Sequence, residues 1–235
     1  IWVASRAPEN WSSRPPATTA VSSLDVNNFT YPINQATIGN GRTFLGSSIT
    51  GNNANFFNGT LTPGLADTVN TSPIVTGNPV YRLGGGGNQG NLIIGASAFE
   101  NVLTGTADVQ VGALATPNAA AQTPYVNGNI GTVQLNNRNN LAAGSRVFSN
   151  MNSQLQINNS FALGDATLVV NHSSGAASGL LVAASFTNPV LVVGDLLRND
   201  GGTIAASIRG PVNLSPSGTG GTRTFNINAD LSITG

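Results

Sequence analysis

The sequence predicts an all-β fold, a parallel β-helix (β-solenoid) with an extended N-terminal arm. From about Gly41 onward, short apolar or alternating runs follow one another between Gly, Asn and Ser clusters, as in chains of strands and turns. Segments with helical spacing are nearly absent. The chain also contains 31 Asn residues, which suit stacked coils because equivalent corner positions let side-chain amides form ladders.

The first 35 residues differ from the rest of the chain. Pro8, Pro15, Pro16 and Pro32 fix φ and remove backbone donors, and the segment has no apolar periodicity. Residues 1–35 are therefore predicted to form a Pro-rich arm or cap, and residues 36–235 the β-solenoid. Two echoes, RTFLGSSITG with RTFNINADLSITG and VQVGAL with LVVGDL, are consistent with one unit of a tandem or polymeric array.

Alternation, β-branched residues and turn signals predict thirteen strands. They cover residues 43–49, 80–83, 91–94, 108–111, 132–135, 154–157, 167–170, 180–184, 190–193, 203–208, 211–214, 223–227 and 230–233. From residue 132 onward the strands start about every 11 residues, a spacing that suits sandwiches, barrels and solenoids alike. At most one short helix is expected, at 97–103. Without helical crossovers, parallel strands require the chain to coil, and the Asn content favours that solenoid over a sandwich.

Composition excludes several classes of chemistry. The chain has nine Arg, no Lys, nine acidic residues and no Cys, so Schiff bases, Lys-containing phosphate loops, disulfides and thiolate sites are impossible. A net charge of +0 gives no electrostatic reason to bind nucleic acid or an anionic membrane. The apolar runs are too short to span a bilayer as a helix. Because the chain begins at Ile1, we expect a processed or excised piece of a longer precursor.

Residues 131–171 carry a family resemblance. Gly131 to Leu135 occupies a first strand, Asn139-Asn140 a turn, Ala142 to Arg146 a glycine turn, Leu155 to Ile157 a second strand and Ala162-Leu163-Gly164 a closing triad. This order resembles the autotransporter-associated β-strand repeat of very large secreted bacterial proteins. The Ala142 turn lacks the usual Gly-Gly-Thr, and residues 113–130 are irregular. The resemblance implies a parallel β-helix outside a bacterial cell that acts in adhesion, coating or assembly.

The catalytic candidates lack the patterns that their chemistry requires. His172 is the only histidine, and its neighbours Ser173 and Ser174 are not in a nucleophile elbow. Gly85 to Gly90 has dinucleotide-loop spacing, but a strand follows it where a helix should begin. We therefore expect no catalytic, cofactor-binding or metal residues, and no cofactor.

The alternative is a polysaccharide-degrading β-helix enzyme, a lyase or a hydrolase. Such enzymes gather carboxylates on one face, whereas the only tight acidic pair here is Asp195 with Asp200, which flank Arg198. Asn199-Asp200-Gly201 is also a turn signal, and no calcium-loop pattern is present. The turn is the preferred interpretation.

Binding requires fewer special residues than catalysis. Ladders of Asn, Ser and Thr can bind sugars or matrix polymers, and five aromatic residues are candidates for stacking: Trp2, Trp11, Tyr31, Tyr81 and Tyr125. The two Trp residues are better explained as anchors of the arm. The sequence thus predicts a non-enzymatic, extracellular structural or adhesive segment. Two roles of the arm stay open: a local cap, or a joint for head-to-tail self-association into a filament.

Overall fold

A computed structural model of the chain describes residues 2–4, 21–24, 28–39, 41–47, 55–66, 76–84, 90–96, 98–112, 131–150, 154–172, 179–194, 196–199, 206–214, 224–227 and 231–234. Its regular structure is almost entirely strand, with one 3-10 turn at Gln35–Thr37. In chain order the strands are β1 (Trp2–Ala4), β2 (Val21–Leu24), β3 (Asn28–Phe29), β4 (Ile33–Asn34), β5 (Phe44–Ser47), β6 (Asn55–Phe57), β7 (Leu61–Thr62), β8 (Val80–Leu83), β9 (Asn91–Ile94), β10 (Thr104–Gly105), β11 (Asp108–Val111), β12 (Thr132–Leu135), β13 (Asn140–Leu141), β14 (Arg146–Asn150), β15 (Gln154–Ile157), β16 (Thr167–Asn171), β17 (Leu180–Val182), β18 (Val190–Val192), β19 (Leu196–Asn199), β20 (Ala206–Ile208), β21 (Val212–Asn213), β22 (Thr224–Ile227) and β23 (Leu231–Ile233).

These strands form a parallel β-helix, which confirms the predicted fold class. Sheet A contains nine strands in the order β1-β2-β5-β8-β11-β14-β16-β18-β21, and sheet B contains eight in the order β3-β6-β9-β12-β15-β17-β19-β22. Three short ladders, β4-β7, β10-β13 and β20-β23, lie between a sheet B strand and the next sheet A strand. Every pair of named strands is parallel. Each full coil therefore passes through sheet A, sheet B and a short third side.

We number the coils by their sheet A strand, so that β2, β3 and β4 belong to coil 2 and β21, β22 and β23 to coil 9. Along sheet A the spacing of the C-terminal coils is nearly uniform, because Arg146 pairs with Thr167 and Val190 with Val212, 21 and 22 positions apart. Two long strands per coil of this length account for the spacing of about 11 residues seen in the sequence. The coil from Val109 to Val147 is longer, and its extra residues lie between β11 and β12.

The interior consists of columns of apolar side chains, one residue per coil. Alternate residues of a strand point to opposite faces, and the inward column of sheet B includes Val133, Leu155 and Leu180, all completely buried. Sheet A contributes a parallel column that includes Val109 and Val147. Because each member contacts the residues above and below it, one continuous core runs along the coils.

Two features of the turn at Gly164, in the predicted closing triad, require a glycine at this position. Its φ is +54°, a conformation that side-chain-bearing residues rarely adopt. A Cβ there would lie 2.6 Å from the backbone nitrogen of Leu141 in the previous coil. The turn can therefore stack on that coil only without a side chain.

The one segment that the sequence allowed as a short helix, at 97–103, is not helical over its described residues. Residues 98–103 form turns instead: Phe99 N donates to the carbonyl of Ala96 (2.7 Å), and Asn101 has a φ of +57°. Leu103 is completely buried in the core. Packing of the turn onto the next coil has overridden the helical propensity of these residues.

Part of the predicted arm lies within the ladders. β2 pairs with β5, β3 with β6 and β4 with β7, so coil 2 includes residues before position 36. Buried Phe29 and Ile33 hold this coil on the core despite Pro32 between them, because a residue outside the ladders needs no backbone donor. Residues 5–20 lie outside the described part of the chain.

The two members of each sequence echo do not occupy equivalent positions in the coils. Phe44 of the first begins β5 in sheet A, whereas Phe225 of its counterpart lies on β22 in sheet B. The VQVGAL and LVVGDL segments share sheet A, displaced by one position in register. No helix in the described residues is long and apolar enough to cross a membrane.

Candidate functional site

The outer face of sheet B carries a network of half-buried amides. While the inward residues of β12 and β15 are apolar, the outward Gln134 and Gln156 are directly paired in register and partly exposed. Together with three neighbours they form what we call the amide network: Asn91, Gln134, Asn136, Gln156 and Asn158. This is the ladder of side-chain amides that the Asn content predicted.

Hydrogen bonds connect the amide network from coil to coil. Gln134 Nε2 donates to Asn91 Oδ1 (3.0 Å), and Asn158 Nδ2 donates to Asn136 Oδ1 (2.5 Å) and to Gln134 Oε1 (3.2 Å). Gln156 Nε2 donates to Asn158 Oδ1 (2.8 Å). Within the described residues, Nδ2 of Asn91, Nδ2 of Asn136 and Oε1 of Gln156 have no protein partner. The network therefore presents fixed donors and an acceptor to solvent.

A set of exposed rings borders the amide network where the chain leaves sheet B. We call it the aromatic corner, defined by Tyr31, Phe99, Arg138 and Phe161. Each residue lies in the turn after a sheet B strand, in coils 2, 4, 5 and 6 respectively. The three aromatic residues are 51%, 40% and 61% exposed, although each lies in a turn with defined hydrogen bonds or packing contacts.

Phe161 is the best defined of these rings. Its backbone N–H donates to Asn159 Oδ1 (2.8 Å), and its carbonyl accepts from Asn139 N of the previous coil (3.2 Å) and from Gly164 N (3.1 Å). The guanidinium carbon of Arg138 lies 5.3 Å from the ring centroid, within the range of a cation–π contact. The ring is thus oriented by its turn and by the neighbouring coil while most of it faces solvent.

The other two rings are also held in place. Tyr31 packs edge-on against buried Phe29, with ring centroids 5.9 Å apart, and its carbonyl lies against Gly59 of the next coil. The turn of Phe99 meets the next coil through Asn101 N, which donates to the carbonyl of Arg138 (2.8 Å). Glu100, which follows Phe99 in the sequence, is exposed, as is Arg138, so both signs of charge lie at or beside the aromatic corner.

His172 is part of a buried pair that the sequence did not indicate. Its Nε2 lies 2.9 Å from Ser149 Oγ, and the two residues are 1% and 0% exposed. Ser149 occupies the same inward column as Val111 and Val170. The contact joins coils 6 and 7 inside the core, and the serine comes from the preceding coil, not from the adjacent Ser173 or Ser174, which lie outside the described residues.

A second polar cluster surrounds Asp108 on sheet A. Its carboxylate accepts from Thr76 Oγ1 (2.5 Å), Asn78 Nδ2 (3.2 Å) and Arg146 N (3.0 Å) and is almost fully buried. Burial raises the pKa of Asp108 above its ordinary value near 3.8, although these hydrogen bonds oppose the shift. Because three donors surround its carboxylate, we interpret Asp108 as a structural residue that joins coils.

The remaining sequence candidates do not meet at one site in the described residues. Two of the five predicted rings have described side chains: Tyr31 is half exposed, whereas Tyr81 is buried with its hydroxyl donating to the carbonyl of Thr104 (3.1 Å). Asp195, Asp200, Trp11 and Tyr125 and residues 85–89 lie outside the described part, as do the side chains of Trp2 and Arg198. Gly90 leads directly into β9, the strand expected after the glycine loop.

Acidic and histidine side chains do not gather in groups of three or more in the part of the chain that the structure describes. Comparisons of the chain with protein-family models, curated proteins and solved structures found no match.

Proposed function

We propose that this chain is a non-enzymatic structural or adhesive β-solenoid segment of a bacterial surface protein that acts outside the cell. The observation that carries the proposal is the continuous parallel ladder through nine coils over one apolar core. Two polar side chains that the sequence offered for chemistry or stacking make internal contacts instead: His172 contacts Ser149 of the preceding coil, and Tyr81 bonds to the carbonyl of Thr104 within its own coil. A rod of this kind separates two points in space and presents a long, repeating surface.

Composition and resemblance support the extracellular setting. A surface built on amides and hydroxyls, without Lys or Cys, needs neither a reducing compartment nor a charged partner. Residues 131–171 resemble repeats of secreted bacterial surface proteins, and β12 and β15, which carry the two strands of that resemblance, pair in consecutive coils. Candidate partners are therefore a surface polysaccharide, a matrix polymer or another copy of the chain.

Head-to-tail association is the form of assembly that this fold favours. The strands of coil 9 present one edge that no described strand covers, next to exposed Leu214 and Ile233 (38% and 40%). A strand edge of this type pairs with a further coil, supplied by the same chain or by a second copy. At the opposite end, β1 is the outermost strand of sheet A.

Cysteine crosslinking tests this assembly without a background of native disulfides, because the chain has no native Cys. Val3→Cys and Asn213→Cys place thiols on the first and last strands of sheet A. On mild oxidation, the double variant should form a ladder of covalent multimers and each single variant at most dimers. Electron micrographs should show rods of one width that lengthen with concentration.

Arg138→Cys combined with Asp165→Cys, both at exposed positions away from the ends, is the matched control and should not form the ladder. If the end-labelled double variant stays monomeric at every concentration, head-to-tail association is wrong. Turnover of a polysaccharide by the intact chain would instead contradict the non-enzymatic assignment.

A further inference from the structure

We infer that the amide network and the aromatic corner together bind an extended, uncharged polysaccharide lying along the axis of the solenoid. The inference rests on the proposed adhesive function and names the ligand and the face that it uses. Both sets of residues line the outer side and the exit of sheet B over coils 2 to 6, so a chain-like ligand can contact them in succession.

Stacking supplies the apolar part of the recognition. The C–H-rich face of a sugar ring packs on an aromatic face, and Tyr31, Phe99 and Phe161 leave 40% to 61% of their surface open for this contact. Backbone hydrogen bonds fix the turn of Phe161, and Arg138 fixes its ring. A platform ordered before binding loses little conformational entropy when the ligand arrives.

The intervals between the rings suit a linear polymer. Tyr31, Phe99 and Phe161 belong to coils 2, 4 and 6, and neighbouring coils are about 4.8 Å apart, so successive rings are separated by about 10 Å along the axis. This interval is comparable with the length of a disaccharide unit in an extended glycan. Each ring can then stack on every second sugar of one chain, which gives the site avidity from weak single contacts.

The amide network supplies the directional part. Nδ2 of Asn91 and Nδ2 of Asn136 are donors without a partner in the described residues, and Oε1 of Gln156 is an acceptor. Sugar hydroxyls both donate and accept, and amides held by their neighbours meet them at fixed positions. Because bonds from Gln134 and Asn158 hold the network together, its geometry exists before the ligand binds.

Charge selects the class of polysaccharide. The chain has no Lys and a net charge of +0, and on the aromatic corner the single cation Arg138 already contacts Phe161, with Glu100 in the same region. An acidic polysaccharide requires clustered cations, which this face does not provide. The occupant is therefore an uncharged glycan, and binding should change little between low and physiological salt.

The test uses the full chain and a panel of soluble polysaccharides: uncharged β-linked glucan, xylan, mannan and galactan, with polygalacturonate as the acidic member. Affinity electrophoresis and calorimetry measure the dissociation constant of each. We expect at least one uncharged member to bind, and Phe161→Ala and Gln134→Ala each to weaken that binding about fivefold to tenfold. Leu65→Ala, which removes an exposed apolar side chain just after β7 on the third side, should leave it unchanged.

Three results would overturn the inference: no binding to any uncharged member, binding that Phe161→Ala and Phe99→Ala both leave intact, or preference for polygalacturonate that Arg138→Ala abolishes. Melting temperatures identify any variant that loses its fold, and the exposed Phe99 provides the second test in that case. The crosslinking assay is independent of the glycan, so an intact covalent ladder without glycan binding refutes only this inference.

Discussion

Asn139 offers the sharpest test of how polar residues hold the solenoid together. This buried side chain belongs to coil 5 and bonds to the coils on both sides: Oδ1 accepts from Leu103 N of coil 4 (3.0 Å), and Nδ2 donates to the carbonyl of Ala162 in coil 6 (2.9 Å). Asn139→Leu keeps the size of the side chain and removes both bonds.

The expected cost follows from the groups that are left without partners. Leu103 and Ala162 are each completely buried, so neither the freed N–H nor the freed carbonyl regains water. An unsatisfied buried donor or acceptor costs about 1 to 3 kcal/mol, and the pair therefore lowers the free energy of unfolding by about 2 to 6 kcal/mol. A local opening that is easier by about 2 kcal/mol raises the hydrogen-exchange rate of the Leu103 amide about 30-fold.

Urea unfolding and amide exchange measure the two effects separately, which matters because stacked coils need not unfold in one step. Asn140→Leu is the matched control: Asn140 is adjacent and exposed, so its replacement should change stability by less than about 0.5 kcal/mol. Should Asn139→Leu unfold at the wild-type urea concentration with unchanged exchange at Leu103, side-chain amides do not hold these coils together.

Three further predictions concern single positions. Because burial raises the pKa of Asp108 above its ordinary value, wild-type stability should fall relative to Asp108→Asn as the pH rises above about 4. Urea unfolding at several pH values checks this, and parallel curves for the two proteins would contradict it. Gly164→Ala should lower the melting temperature by the equivalent of at least about 2 kcal/mol, while Gly144→Ala, whose added Cβ has no neighbour within 4 Å, should cost about half as much; equal losses would refute the clash. Gln110→Met should raise the urea midpoint, since both amide atoms of Gln110 are buried without a partner among the described residues and their burial costs about 1 to 3 kcal/mol; a lower midpoint would show that the amide is satisfied.

The long strands were predictable from sequence because their apolar residues alternate with polar ones. β8, β9, β11, β12 and β15 have the predicted bounds, and each shows apolar residues at every second position or nearly so. The two-residue strands of the third side, such as β13, are too short to show a period. β14 was missed because Phe148, which faces outward from the interior column, is buried too and removes the alternation.

The site was predictable in kind but not in position. A high Asn content indicated amide ladders, but only the register of β12 with β15 shows that Gln134 and Gln156 meet. The sequence gives no reason to distinguish Tyr31 from Tyr81, yet Tyr31 is half exposed and Tyr81 is buried. Phe99 and Phe161 gave no signal, because a Phe in a turn and a Phe in the core differ only in what the next coil places over them.

The winding of the chain has a mechanical consequence. The backbone bonds between coils point along the rod, so a pull on its two ends loads the coil interfaces in series and the weakest one detaches first. Detachment of the coil from Val190 to Val212 releases 22 residues, or about 75 Å of slack once straightened. A tether built in this way extends stepwise under tension. Each step dissipates mechanical energy while the remaining coils stay folded.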